Sequence, residues 1–316
     1  MIMNKKDIEL VVLMSSFNGE NYIADQIDSI LTQKKNNIKL YIRDDGSTDA
    51  TRSIITEYSK RYSNVIFINE GDSNNVGFNR SFMLLLSKAL VLEPECELFA
   101  FADQDDIWME NKLSIAVDRI LNTGNDNELM YYYANKYWTN AELKIIQQDD
   151  FSYCRDNYFD MFILPPVYGC TSIINRSLAV ESLKYYKDAS LLYDVYIFRL
   201  ACLLGANIIS EHTPVMYYRR HGNNVSGESM KFSIKRSIFQ YLKSPKKMHG
   251  MRRYLEPIYL DCNKIMPDDQ KKLCELILNN KNDRFRVLKL VGWRNAHDRG
   301  IKSSVMWIGR IILGAI

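Results

Sequence analysis

Asp103, Asp105 and Asp106 follow directly on the apolar run Leu98-Phe99-Ala100-Phe101-Ala102, so a buried strand is expected to deliver three carboxylates to one point of the surface. In a water-poor cleft these groups repel one another, and a divalent cation with hard oxygen ligands relieves the repulsion most simply. A solvated acidic turn is the alternative, because carboxylates ordinarily sit in water. A second pair, Asp44-Asp45, ends the apolar stretch Leu40-Tyr41-Ile42. Asp194 precedes the helix expected over Val195 to Leu204, where it is placed to cap the helix, a role worth about 1 kcal/mol. Arg80 follows Gly77, a residue suited to a tight turn, near the start of the apolar helix expected over Phe82 to Leu92. A phosphate binds well at such a position, and a surface arginine is the plain alternative.

A regular scaffold is expected to hold these groups. The strand Leu10 to Met14 runs into the polar turn Ser15-Ser16-Phe17-Asn18-Gly19-Glu20, then into a helical stretch with Ile23, Ile27, Ile30 and Leu31 on one face. Asn18 or Ser16 can cap that helix. Leu40 to Ile42 and Val65 to Ile68 repeat the strand, each followed by a polar loop and a helix, and Leu98 to Ala102 is the fourth strand. Strands alternating with helices make an α/β fold with a mostly parallel, doubly wound sheet, whose ligand loops lie at the carboxyl ends of the strands. Leu113, Ala116, Val117 and Ile120 predict a further helix over Trp108 to Ile120. Met130 to Ala134 reads as a strand, residues 139 to 160 show little periodicity, and Pro165 to Arg176 is a loop running into an apolar strand.

With 316 residues and 47% hydrophobic content, the chain can bury a substantial core. Its six cysteines are scattered with no CxxC pair, and no N-terminal apolar run precedes a cleavage-like site, which fits reduced thiols in a cytoplasmic protein. The net charge of +3 hides an asymmetry: residues 1–213 carry 20 Lys and Arg against 30 Asp and Glu, whereas residues 214–316 carry 21 against 8. The basic third therefore points to an anionic partner. Lys231, Lys235, Arg236, Lys243, Lys246, Lys247, Arg252 and Arg253 alternate with Phe232, Ile234, Ile238, Phe239, Tyr241, Leu242 and Tyr254, the composition of a helix lying on an anionic membrane face. A helical subdomain packed on the body, or a contact in a homo-oligomer, would suit the same residues. The terminal stretch Val305 to Ile316 is apolar but too short to span a bilayer and carries Arg310. Nucleic acid is excluded as a partner on the grounds that the acidic body repels a long polyanion and no recognised module is present.

Taken together, SSFNGENYIADQIDSIL, RDDGSTDAT, NVGFNRSF, FADQDDIW, YGCTSIINR, YDVYIFRLACLLG and YRRHGNNVSG, in that order between about Leu10 and Gly227, resemble the bacterial inverting glycosyltransferases of family 2. They are most similar to the rhamnosyltransferase-like branch that builds surface polysaccharides. The resemblance implies a GT-A, Rossmann-like fold over residues 1–228, with a basic helical region over 229–316. It implies transfer of a sugar from a UDP- or dTDP-sugar to a hydroxyl of a lipid-linked oligosaccharide at the inner face of the cell membrane.

By the same resemblance, Ser16, Asn18, Glu20, Asp44 and Asp45 fall where the family holds base and ribose, and Arg80 where a basic residue reaches the diphosphate. Asp103, Gln104 and Asp105 occupy the DxD positions that bind ribose and a Mn or Mg ion, Asp105 being the closer ligand. Asp194 matches the base that takes the acceptor proton; relatives often have His before it, where this chain has Tyr193. Asp106, Trp108, Gly169 and Cys170 fall around the sugar or acceptor pocket, Trp108 as a stacking face or as a core residue. Tyr217 to Gly222 fills a YRxHG slot, in which His221 completes the metal site or touches the diphosphate and Arg219 or Arg220 clamps phosphate oxygens. A nucleotide-sugar binding or scaffolding module without turnover would keep the same fold. A nucleotidyltransferase would need a Gly-rich, Lys-bearing signature near the first strand, and Ser15 to Glu20 shows neither.

Overall fold

The computed structural model describes residues 9–34, 37–123, 128–148, 165–222 and 250–278. The chain divides into two compact units, one formed by Met1–Phe151, Pro165–Ala201 and Ala206–His221, the other by Ser152–Leu164, Cys202–Gly205 and Gly222–Ile316. The boundary expected at residue 228, the basic segment 229–249 and the apolar terminus 305–316 lie outside the described residues.

The first unit is built on a nine-stranded sheet. β1 (Leu10–Ser16), β2 (Ile38–Asp44), β3 (Val65–Phe67) and β4 (Leu98–Ala102) run parallel in the order β3-β2-β1-β4. β1 and β4 are near-continuous apolar runs because both of their faces are covered. α1 (Ile23–Leu31), α2 (Thr51–Arg61) and α3 (Phe78–Leu92) are the crossovers between these strands, and Ile23, Ile27, Ile30 and Ile55 bury their side chains in one cluster with Leu10, Val12, Leu40 and Ala100. Gly77, at φ 81°, turns the chain into α3. That helix begins four residues earlier than its apolar pattern suggests, so Arg80 lies within its first turn.

Beyond β4 the sheet becomes mixed. β8 (Ser172–Asn175) is antiparallel to β4, β6 (Met130–Thr139) is antiparallel to β8, and β9 (Asn207–Arg219) lies parallel to β6. β5 (Ile107–Trp108) pairs with β9 through Ile107 opposite Tyr217 and Trp108 opposite Met216. The helix expected from Trp108 therefore starts later, as α4 (Lys112–Thr123), because the backbone at Trp108 is already committed to a strand. β7 (Ile145–Gln148) is an exposed strand on β6 inside the stretch that showed no periodicity. α5 (Arg176–Tyr185) follows β8, its first turn capped by the Asn175 side chain accepting the Leu178 N–H at 3.2 Å. α6 (Tyr193–Leu203) follows.

In the second unit, α7 (Gly250–Cys262) and α8 (Asp268–Leu278) bury Leu255, Ile258, Cys262, Cys274 and Ile277, and Tyr259 donates to Glu275 Oε1 at 2.8 Å. Among the described residues no helix is long and apolar enough to cross a membrane, and Cys96, Cys170, Cys202, Cys262 and Cys274 are free and buried thiols.

Candidate active site

The polar loops after β1, β2 and β4 lie at the carboxyl edge of the parallel half of the sheet, where open α/β sheets bind ligands. The first two loops are bound to each other. Asn18, at φ 46°, accepts the Thr48 N–H at 2.9 Å and donates its own N–H to Ser47 Oγ at 2.8 Å. Glu20 accepts the Ala50 N–H at 2.8 Å, and the Ser16 hydroxyl donates to Asp44 Oδ1 at 3.2 Å.

Asp44 and Asp45 are buried and occupied within the chain. Asp44 Oδ2 accepts from the Gly46 N–H at 3.1 Å, the Ser47 N–H at 2.9 Å and Arg52 at 3.0 Å. Asp45 accepts from Arg43 at 2.6 Å, from the Val76 N–H at 2.8 Å and from the Gly77 N–H at 2.9 Å. Arg43 also reaches Ser81 Oγ and the Asn74 carbonyl. The anion at the start of α3 is thus Asp45, supplied by the neighbouring loop, while Arg80 is exposed on the helix's first turn.

The loop after β4 carries the acidic cluster. Gln104 turns away from it and clasps the first loop, its amide accepting the Phe17 N–H and donating to the Phe17 carbonyl, each at 2.9 Å. Asp105 Oδ2 lies 2.8 Å from His221 Nε2, and the His221 ring stacks on Tyr22 at 4.6 Å. Burial, with the charges of Asp105 and Asp194, pushes the Asp103 carboxyl up to about 7. Asp106 is wholly buried; its Oδ1 accepts the Arg219 N–H at 3.1 Å and its Oδ2 has no hydrogen-bond partner among the described residues. Burial and the charge of Asp105 hold the Asp106 carboxyl well above the usual range. Lys112 is buried as well, and burial pulls its amine down to about 7.

Three expectations for this region are corrected. Trp108 offers no stacking face, since its ring is only 3% exposed and the Lys112 ammonium sits over it, 3.8 Å from the centroid. Arg219 is no phosphate clamp: it is buried, its guanidinium donating to the Asp105 carbonyl at 2.9 Å, the Ala141 carbonyl at 2.8 Å and Asp25 at 3.3 Å. Asp106 likewise is wholly buried and holds the Arg219 backbone instead of facing a sugar or acceptor. Arg220 packs over Trp138 at 5.5 Å.

Asp194 stands on the first turn of α6. Its Oδ1 accepts the Val195 N–H at 2.8 Å and its Oδ2 the Gly169 N–H at 3.1 Å, from a 3-10 turn, Gly169–Thr171, before β8. Gly169 is required there, because a Cβ would lie 1.8 Å from the Tyr193 hydroxyl oxygen. Burial raises the Asp194 carboxyl above its usual range, and the two N–H bonds oppose the rise. Tyr193 stacks on Phe82 at 4.2 Å, and its buried hydroxyl has no hydrogen-bond partner among the described residues. Its backbone N–H donates to Asn79 Oδ1 at 3.1 Å, tying the start of α6 to the start of α3. Arg43, Lys112, Asn79 and Tyr22 were not among the residues singled out from sequence; only the alternation of Arg43 along β2, which turns it to the same face as Asp45, hinted at one of them.

Asp103, Asp106 and Cys170 bring ligand atoms within 4.8 Å of one another. Burial, with the charges of Asp106 and Asp103, pushes the Cys170 thiol up, which keeps it protonated beside the two carboxylates. A hard divalent cation prefers carboxylate and imidazole donors to a buried thiol; of these, Asp105 is in contact with His221, and its charge adds to the burial that raises Asp103.

The model of the family described as "Glycosyl transferase family 2" matches residues 11–182. The chain is 30% identical over 232 residues to the dTDP-rhamnosyl transferase RfbG of Shigella flexneri, covering 70% of this chain and 76% of that protein. Its fold resembles Staphylococcus aureus TarS 1-349 in complex with UDP-GlcNAc, with a TM-score of 0.60 at 16% identity, covering 98% and 82% of the two chains. It also resembles the mannosyltransferase PcManGT of Pyrobaculum calidifontis in complex with GDP-Man and Mn2+, with a TM-score of 0.53 at 13% identity over 97% and 86%. With the acidic loop, the half-buried carboxylate of α6 and this match over more than half its length, the chain belongs to glycosyltransferase family 2 and has the GT-A fold.

Proposed function

We propose that this protein is an inverting glycosyltransferase that moves a sugar from a UDP- or dTDP-sugar to a hydroxyl of a lipid-linked oligosaccharide during synthesis of a bacterial surface polysaccharide. The observation that carries the reading is Asp194: a carboxylate raised in basicity by burial, aimed by two N–H groups, and close enough to the acidic loop to raise Asp103. One side of the site therefore suits the leaving diphosphate and the other the attacking hydroxyl. The relatives' names support a pyrimidine nucleotide donor and polysaccharide chemistry. The excess of Lys and Arg beyond residue 213 suits work at an anionic membrane face, where such acceptors reside.

In the reaction, the acceptor oxygen forms a bond to the anomeric carbon from the face opposite the phosphate. Its proton passes to an Asp194 oxygen, and the electron pair of the broken C–O bond leaves with the nucleoside diphosphate. The configuration inverts in this single displacement. Asp103, Asp105 and His221 are the residues that would hold a Mn or Mg ion, which supplies charge neutralisation for the departing diphosphate. The loops carrying Ser16, Asn18, Glu20, Asp44 and Asp45 frame the base and ribose, and the exposed guanidinium of Arg80 is available to phosphate oxygens.

The test compares D194N with the wild type, using a panel of nucleotide sugars in Mn or Mg. D194N is expected to lower kcat by about 10²- to 10⁴-fold while donor binding, followed by calorimetry, persists. Wild-type kcat should fall on the acid side as pH drops through the raised pKa of Asp194, since only the ionised form accepts the proton. Full transfer by D194N would show that another group is the base.

A further inference from the structure

Lys112 is the first residue of α4, a helix whose buried face is otherwise apolar: Leu113, Ala116, Val117 and Ile120. Its side chain is 1% exposed, and every direction of its ammonium is used. It donates to the Cys170 carbonyl and to Met216 Sδ at 3.3 Å, and it caps the face of the Trp108 ring. A buried charge costs several kcal/mol unless its surroundings are arranged for it, so a core in need only of volume would take Met or Leu here. What the lysine adds is a fixed carbonyl. Cys170 follows Gly169 in the 3-10 turn, and the Gly169 N–H is one of the two donors that aim Asp194. A second buried ammonium, Lys136, lies over the ring of Tyr168 at 3.2 Å, and the Tyr168 carbonyl accepts the Thr171 N–H at 2.9 Å that closes the same turn. The turn is thus flanked on two sides by lysines too deeply buried to reach a ligand themselves.

We propose that Lys112 is a positioning residue of the transfer reaction, holding the Cys170 carbonyl so that the Gly169 N–H keeps the Asp194 carboxylate aligned with the acceptor hydroxyl. It rests on Asp194 being the base. Misplacing a reacting group by about 1 Å costs on the order of 10²-fold, and the loss falls on kcat because the donor is bound elsewhere in the site.

The experiment is a double-mutant cycle on the full chain: K112M, D194N and K112M/D194N, with kcat, donor KM and donor affinity measured for each. K112M is expected to lower kcat by about 10- to 100-fold with donor KM unchanged, and to have no effect on kcat in the D194N background, where the group it positions is already gone. K112Q, which keeps a donor for the carbonyl, is expected to recover part of kcat. If K112M fails to bind donor, K112Q and K112Q/D194N make the same comparison. An equal loss in both backgrounds, or no loss in either, overturns the proposal while leaving the base assignment standing. Unimpaired D194N instead removes the base assignment on which the proposal depends.

Discussion

Asp44 separates two roles that a carboxylate in a nucleotide-binding loop can have. If it only touches a base, its replacement weakens donor binding and leaves the apo protein as stable as before. The structure gives it a second role. Its Oδ2 accepts two backbone N–H groups and Arg52, while the Oδ1 side meets only the hydroxyls of Ser16 and Ser47, which can rotate to accept. An asparagine can therefore turn its oxygen to the N–H groups and its nitrogen to the hydroxyls. D44N then loses chiefly the charge on a partly exposed Arg52 pair, about 1–2 kcal/mol after allowance for solvent screening. D44A leaves the Gly46 and Ser47 N–H groups without an acceptor and takes one partner from Arg52, which keeps the Asn69, Glu70 and Asp72 carbonyls, a loss of about 4 kcal/mol at roughly 1–3 kcal/mol for each of the two orphaned N–H groups. For a unit of this size each kcal/mol moves Tm by about 2–4 °C, so D44N should lower Tm by about 2–8 °C and D44A by about 8–16 °C. Thermal unfolding of ligand-free protein, followed by circular dichroism, reads both. Two variants that melt with the wild type, or an asparagine as damaging as the alanine, would refute the assignment of these bonds to the fold.

Two further outcomes follow from the other half of the site. G169A should lose about 2–3 kcal/mol or more through overpacking, because the Tyr193 ring cannot swing away from Phe82 and Phe101; G169A/Y193L should regain part of it in the same melting assay, and a silent G169A would contradict the contact. Asp103, raised to about 7 from 3.8, retains a proton in the folded state that the unfolded chain has released, so stability falls as pH rises between those values. In metal-free buffer D103N should accordingly melt above the wild type at pH 8 and with it below pH 4; the opposite order at pH 8 would mean that Asp103 is stabilised as an anion.

Much of the parallel half of the sheet was legible because its signals are local. The run Leu98 to Ala102 ends where its apolar residues end, and the carboxylates follow at once. β5 was not legible: Ile107-Trp108 makes its hydrogen bonds to a strand more than a hundred residues away, and nothing near Trp108 records that pairing. β7 escaped because all four of its residues are exposed, which leaves no alternation to see. Residue type also says nothing of direction. Asp105 and Asp106 are adjacent, yet one meets His221 at the pocket and the other lies sealed beneath Arg219. Asp44 and Asp45 look like ligand groups in a sequence because the backbone N–H groups that occupy them carry no residue signature.

The paired bonds between Gln104 and Phe17 imitate one rung of a sheet, extended by a side chain past the point where β1 and β4 themselves part. The loops after β1 and β4 are thereby one mechanical piece. Grafting a donor preference from a relative with either loop alone would break the rung and free the two loops from each other; the unit of exchange is Phe17 to Glu20 together with Asp103 to Asp106.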